Sequence, residues 1–249
     1  PFFFIFEKKK VNNEISKDKN EFFFNAILIG IFLFLATAFQ QVALVYTDVA
    51  NAAFFTIFYV PMVPIIVFFL FKKTIHWSIW PAVALCVLGG YLLTNFHNEE
   101  VRLGDTLVVI GALFWSLHII YIGKIIETFD VPILIGLIQT SIVCIFSIIV
   151  ALFFEEFILE NILGQKLQIL YAGSLSAGIA FVLQIYAQKN IQPTPSAIIF
   201  SLEGVVATIA AWILLSQILN INNILGCIFI LTGVLFSQLV PEIKKINYK

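Results

Sequence analysis

The sequence predicts an all-α membrane protein, a helical bundle, and three observations carry that prediction. Hydrophobic residues make up 61% of the 249-residue chain and charged residues only 12%, with a mean hydropathy of +1.01. A soluble domain carries about twice that charged fraction. A water-surrounded core of this size cannot enclose so much apolar surface. Second, apolar runs of about 20 residues follow one another, the length a helix needs to cross a bilayer. Third, these runs do not alternate polar and apolar residues as the strands of a membrane barrel do. The partner implied throughout is the lipid bilayer. A net charge of -1 gives no electrostatic basis for nucleic acid or an acidic substrate.

Taken in order, the chain opens on "PFFFIF", which is too short to span and lacks the basic n-region and cleavage site of a signal peptide. It reads as the tail of a helix. The stretch "EKKKVNNEISKDKNE" reads as a polar loop. Spanning helices are expected at 23–46, 49–71, 77–95, 106–124, 131–154, 167–188, 195–218 and 223–240, about eight in all. Pro132, Pro193 and Pro195 stand at helix starts, where a missing N–H costs little. Pro61 and Pro64 fall inside a helix and should kink it. Cys86, Cys144 and Cys227 lie in apolar runs, with neither CxxC nor metal spacing, and imply no disulfide framework.

Lysine and arginine orient these helices. With the 7–21 segment cytoplasmic, Lys72, Lys73, Lys124, Lys189, Lys244, Lys245 and Lys249 fall on the same side, and only Arg102 and Lys166 fall opposite. Residues 241–249 become a cytoplasmic tail.

The chain also resembles itself. At an offset of 143 positions "VLGGYLLTN" at 87–95 falls on "ILTGVLFSQ" at 230–238, Gln41 on Gln184, and Pro61 on Gly204. That step spans five expected helices, so the two copies face opposite ways across the membrane, the inverted-repeat plan of secondary transporters. The second copy, 104–240, holds five helices. The first, 1–95, lacks its first helix and most of its second, which predicts about 40 further residues upstream.

Two stretches carry a family resemblance. "GDTLVVIGALFWSLHIIYIGK" at 104–124 supplies Gly104-Asp105, Trp115 and a basic end at Lys124. "TPSAIIFSLEGVVATIAAWILLSQILNINNILGCIFILTGVLF" at 194–236 supplies a small-residue start, an acidic element at Glu203 and the later glycines. These resemble the EamA-type family of the drug/metabolite transporter superfamily. Gly204 stands where the family has proline and Gln217 where it has glutamate. The first copy keeps the proline, at Pro61, and has Val60 in the acidic place. The resemblance implies two inverted five-helix repeats, ten helices in the full protein, a central solute cavity, and a bacterial inner-membrane location.

Among candidate site residues Glu203 is foremost. It lies about 14 Å from Thr194 along a helix axis, near the middle of a hydrocarbon core about 30 Å thick. A carboxylate there needs water, a partner or a proton. It could bind an amine or carry a proton, or lock two helices together. Gln41 and Gln184 could face a polar solute or join helices. Trp115 and His118 share a helical face with Ile122. His118 could relay a proton or contact a ligand, and Trp115 and Tyr59 could stack on a planar solute, or all three could be packing residues. "AGSLSAGIA" at 172–180 suits close helix approach and lacks the GxSxG spacing. Asp105, Glu99, Glu100, Glu155, Glu156 and Glu160 read as solvated outer-edge acids.

HExxH, GxGxxG and a P-loop are absent from the sequence, as is any paired intramembrane acid. An enzyme is therefore not expected, nor a cofactor or metal. The expectation is a secondary transporter for a small polar or amphipathic solute, such as an amino acid or related amine, by exchange or proton coupling. A monomer suffices for that plan. The alternative is a membrane sensor or scaffold without flux, for which the loops are short.

Overall fold

A computed structural model describes residues 2–94, 102–156, 158–216 and 218–247. Glu99, Glu100 and Gln217, all singled out above, lie outside the described residues. All regular structure among the described residues is helical. In chain order the helices are α1 (Phe2–Ile15), α2 (Lys19–Ala43), α3 (Val49–Thr56), α4 (Tyr59–Phe71), α5 (Ile79–Thr94), α6 (Leu103–Thr128), α7 (Pro132–Phe154), α8 (Leu159–Gly164) and α9 (Lys166–Leu170). A π-helical segment, Tyr171–Ala180, leads into α10 (Phe181–Gln188), followed by α11 (Pro193–Phe200), α12 (Leu202–Leu215) and α13 (Ile221–Asn247).

Among the described residues seven helical stretches are long and apolar enough to cross a membrane, and Ile79–Leu93 adds a shorter apolar helix. The chain is thus an integral multi-pass membrane protein, and the eight expected spans each coincide with one of these stretches. Pro132 and Pro193 occupy the first turns of α7 and α11, as their lack of an N–H favours.

One correction concerns the polar stretch after Phe6. It is not a loop: α1 continues to Ile15. The reason lies in what its side chains meet. The Glu7 carboxylate accepts from the N–H groups of Ile133 and Leu134 at 3.3 and 3.2 Å, capping the start of α7. Lys10 and Lys189 both meet Asp130 Oδ2, at 2.5 and 2.6 Å. Glu14 takes the Lys17 ammonium at 2.6 Å and the Asp130 N–H at 3.3 Å. Burial pushes the Asp130 carboxyl pKa up, but the two ammoniums outweigh it and hold the group below the usual carboxylate range. The contact with Lys17 likewise lowers Glu14.

The chain divides into two compact units. The first comprises Pro1–Phe34 and Tyr121–Ile191. Its core gathers Phe22, Ile29, Ile122, Ile125, Phe129 and Ile135, with the Phe22 and Phe129 rings edge-on at 5.3 Å. The second comprises Leu35–Ile120 and Gln192–Lys249. There α5 and α13 press together through small residues. A Cβ on Gly89 would lie 2.7 Å from the Gly226 carbonyl oxygen, and one on Gly226 equally close to that of Gly89. One on Gly233 would meet the Ala82 oxygen at 2.8 Å. Such close approach is how helices gain packing in lipid, where apolar burial gives no driving force.

Asp105 requires a second correction. It is buried rather than solvated, at 2% exposure. Its carboxylate accepts from the Thr47 hydroxyl at 2.5 Å and from the Arg102 N–H at 2.9 Å, capping α6. Gly104 is required beside it, because a Cβ there would stand 2.7 Å from the Ala43 oxygen and from Thr47 Cβ. Arg102 in turn meets Asp48 at 2.8 Å.

Candidate functional site

The second unit contains two interrupted helices. Between α3 and α4, Pro61 has no N–H to donate to the Ile57 carbonyl, and the Val60 N–H takes that oxygen instead at 2.9 Å. Ile57 and Phe58 likewise donate to residues three back, at 3.1 and 3.2 Å, so the helix tightens for a turn and restarts at Tyr59. Between α11 and α12 no proline is present. Here the Ser201 hydroxyl donates to the Ile198 carbonyl at 2.6 Å, and a serine bonding back onto its own helix bends it. Gly204 N–H then reaches Ser201 O at 3.2 Å. Phe58 and Ser201, the two interruptions, stand 143 positions apart, the offset of the sequence repeat. The far ends lie within one residue of that offset, since α4 and α12 both end in a left-handed residue, Lys72 at φ 50 and Ser216 at φ 51.

The interruptions decide where the polar groups fall. Glu203 occupies the first turn of α12, where the unpaired N–H groups and the helix dipole favour a carboxylate. Tyr59 is the first residue of α4 and 4% exposed. Its hydroxyl has no hydrogen-bond partner among the described residues. The Glu203 carboxylate and the Cys86 thiol both lie within electrostatic range of it. Cys86, on α5 and fully buried, stands beside the Ser201 hydroxyl. Thus α4, α5 and the break between α11 and α12 bring Tyr59, Cys86, Ser201 and Glu203 into one neighbourhood. Glu203 itself is exposed, between buried Ser201 and Val205.

The remaining expected residues are placed as follows. On α6, Trp115 and His118 stack edge-on at 5.8 Å, and His118 is fully buried. Between them Ser116 donates to the Ala112 carbonyl at 2.8 Å and approaches the Tyr59 carbonyl at 3.4 Å. Gln41 lines a groove of about 280 Å³ with Thr37, Gln40, Leu44, Val49, Ala52 and Ala53, a lining that includes neither Tyr59 nor Glu203. Its neighbour Gln40 donates to Thr56 Oγ1 at 3.1 Å. Gln184 lies half-buried on α10 in the first unit. Sequence reasoning missed Cys86 and Ser201 as members of the Tyr59–Glu203 group. It also missed Gln139, fully buried in α7, though an amide inside an apolar run was the signal already applied to Gln184. Among the described residues no three His, Cys, Asp or Glu gather as metal donors.

Comparison with known proteins fixes the family. The sequence profile of the EamA-like transporter family matches residues 102–239. An uncharacterized transporter of Archaeoglobus fulgidus is 30% identical over 211 residues, 85% of this chain and 67% of that protein. Another uncharacterized transporter, of Clostridium kluyveri, is 21% identical over 80% of this chain and 66% of its own length. The chain therefore spans about two thirds of these relatives. Protein WALLS ARE THIN 1 of Arabidopsis thaliana is 26% identical over 58% of this chain and 38% of its own. A solved crystal structure superposes with a TM-score of 0.70, covering 88% of this chain and 87% of that one, and at 13% identity it shares the fold alone. Profile and relatives agree that the chain belongs to the EamA-like transporter family, which places it among membrane transporters rather than enzymes.

Proposed function

We propose that this protein is a secondary transporter moving a small polar or amphipathic solute, an amino acid or related amine, through a cavity lined by Glu203 and Tyr59. The observation that carries the reading is the pairing of a carboxylate at a helix restart with a buried, unpartnered hydroxyl. An ionised Glu203 accepts from an ammonium, and Tyr59 donates a hydrogen bond to an acceptor on the same solute or accepts one from it. Each group by itself is costly in the middle of a bilayer, and a solute carrying both a cation and an acceptor satisfies both. Interrupted helices support this assignment, because transporters of inverted-repeat design place solutes where helices break near the midplane. The two repeats, 1–95 and 104–240, are part of the same proposal. So are the bacterial inner membrane and the cytoplasmic C-terminus, the latter supported by the lysine distribution. Exchange and proton coupling both fit a titratable Glu203.

The test is exchange in liposomes. The protein, with any residues that precede Pro1, is reconstituted in vesicles preloaded with a metabolite mixture, and release is followed by mass spectrometry. One amine-bearing class should be lost selectively, and Glu203→Gln should stop that loss while leaving the unfolding midpoint unchanged. Full-rate release by the Glu203→Gln protein would remove Glu203 from the solute path. Retention of every compound by a folded wild type would favour the sensor or scaffold reading.

A further inference from the structure

The two helix interruptions of the second unit share one backbone geometry and reach it by different means. Phe58 stands at φ -60 and ψ -17, and Ser201 at φ -61 and ψ -15. An α-helix holds ψ near about -42, so each residue lies only about 25° from a helical torsion. At Phe58 the tight turn is compulsory. Pro61 has no N–H, and in a continuous helix its ring would strike the Ile57 carbonyl. At the offset of 143 its place is taken by Gly204. Gly204 keeps its N–H and donates it to Ser201 O at 3.2 Å. In a continuous helix the same N–H would donate four residues back, to the Phe200 carbonyl, and no ring stands in the way. The surroundings are loose as well, since even an added Cβ would meet only the tips of Leu93 and Ile230, at 3.3 and 4.0 Å. What holds this second break is a side chain. The buried Ser201 hydroxyl donates to the Ile198 carbonyl at 2.6 Å, and the Ser201 N–H reaches the same oxygen at 3.2 Å.

The break also sets the electrostatics of Glu203. It puts that residue in the first turn of α12, where N–H groups without intrahelical partners and the helix dipole favour a carboxylate. Were α11 and α12 joined, Glu203 would sit in the interior of one long helix and that support would be gone. The state of the break and the charge of Glu203 are therefore linked. An ionised carboxylate favours the broken form, and a carboxylate neutralised by a proton or a bound cation favours it less. Linkage of this kind is reciprocal. The other broken helix has Val60 in the place of Glu203 and Pro61 in the place of Gly204. It has neither a charge to sense nor the freedom to close. Charge and freedom thus coincide in one of the two broken helices.

We propose that Ser201 is the positioning residue of the Glu203 site: its hydroxyl keeps α11 and α12 apart, and Gly204 lets them join when the carboxylate is neutralised. The inference rests on the proposed solute path for its meaning in transport, but its test needs no solute, so a failure of exchange and a failure of this switch are told apart. Nitroxides on Gln192→Cys and Ile213→Cys, exposed residues on either side of the break, are carried by a protein whose Cys86, Cys144 and Cys227 are alanine, with any residues that precede Pro1. Their separation is read by pulsed dipolar EPR in nanodiscs. One distance should dominate when nothing else is changed. Ser201→Ala should raise a second distance several-fold, and Glu203→Gln should raise the same one. Ser201→Thr, whose hydroxyl can bond back in the same way, should show the first distance again. Gly204→Pro, alone or together with Glu203→Gln, should show the first distance only. An unchanged distribution in Ser201→Ala, whether or not the unfolding midpoint falls, would overturn the proposal and leave the serine a packing residue. A second distance that survives Gly204→Pro would also overturn it, since the movement would then lie elsewhere. If the Gly204→Pro protein does not fold, Ser201→Ala against Ser201→Thr decides, and equal distributions in those two would overturn the proposal.

Discussion

The hydroxyl of Tyr59 separates a ligand contact from a packing role more sharply than any other group in the site. A buried hydroxyl without a partner costs about 1–3 kcal/mol of stability, so Tyr59→Phe should leave the fold as stable as before or more so. If the hydroxyl serves the solute, the same variant should raise the solute concentration needed for half-maximal exchange while the unfolding midpoint holds or rises. A lower midpoint with unaltered exchange would show that the hydroxyl serves only the fold. Ser216 offers a second test at this scale. A non-glycine residue held left-handed costs about 1–2 kcal/mol, and Ser216 sits at φ 51 and ψ 30 to end α12. Ser216→Gly should therefore raise the thermal midpoint modestly, and a fall would show that the serine side chain contributes more than its backbone conformation costs.

At the scale of elements, what touches a glycine decides its tolerance. On Gly89 a Cβ would run into the backbone oxygen of Gly226, which cannot move aside without displacing α13. On Gly204 it would meet only side-chain tips, Leu93 Cδ1 at 3.3 Å and Ile230 Cδ1 at 4.0 Å. Gly89→Ala should cost about 1–3 kcal/mol by overpacking, and Gly204→Ala should fall within the range of an ordinary surface change, as detergent unfolding can measure. Equal costs would mean that the α5–α13 contact yields. The cluster at Asp130 makes a pH prediction. Its folded pKa is lowered, so the stabilisation is fully present above the unfolded carboxyl value and is lost as pH falls through the folded one. Asp130→Asn should flatten the acid side of the stability profile and leave neutral pH the least sensitive to further change in pH. The elements also show how much was legible. Apolar length fixed the spans, and proline marked the starts of α7 and α11. The restart at Ser201 was not visible, because a serine followed by a helix-compatible Leu-Glu-Gly carries no breaking signal of its own. Asp105 was misread because its partner Thr47 is 58 positions away. The grouping of Cys86 with Ser201 was hidden for the same reason, since helical periodicity says which face a residue is on but not which helix faces it.

For the whole molecule the decisive quantity is the sidedness of charge. Positive residues near helix ends are retained on the cytoplasmic side, and Lys72, Lys73, Lys124, Lys189, Lys244 and Lys245 fall on one side of the alternating spans while Arg102 and Lys166 fall on the other. Arg102 is further tied to Asp48 at 2.8 Å, so part of even that small opposing charge is neutralised in place. Eight spans counted from a cytoplasmic segment at 7–21 bring the tail at 241–249 back to the cytoplasm, whereas seven or nine would not. The prediction is thus a joint one, of orientation and of the parity of spans, with Ile79–Leu93 as the stretch that decides parity because it is the shortest. A fluorescent protein fused after Lys249 should fold and fluoresce in a bacterial host, and an alkaline phosphatase fused there should stay inactive. The same pair of reporters placed after Thr74, ahead of α5, should read as cytoplasmic, and placed after Val101, beyond α5, as external. An active phosphatase at the C-terminus together with identical readings on both sides of α5 would remove Ile79–Leu93 from the membrane and, with it, the five-helix step that makes the two repeats inverted.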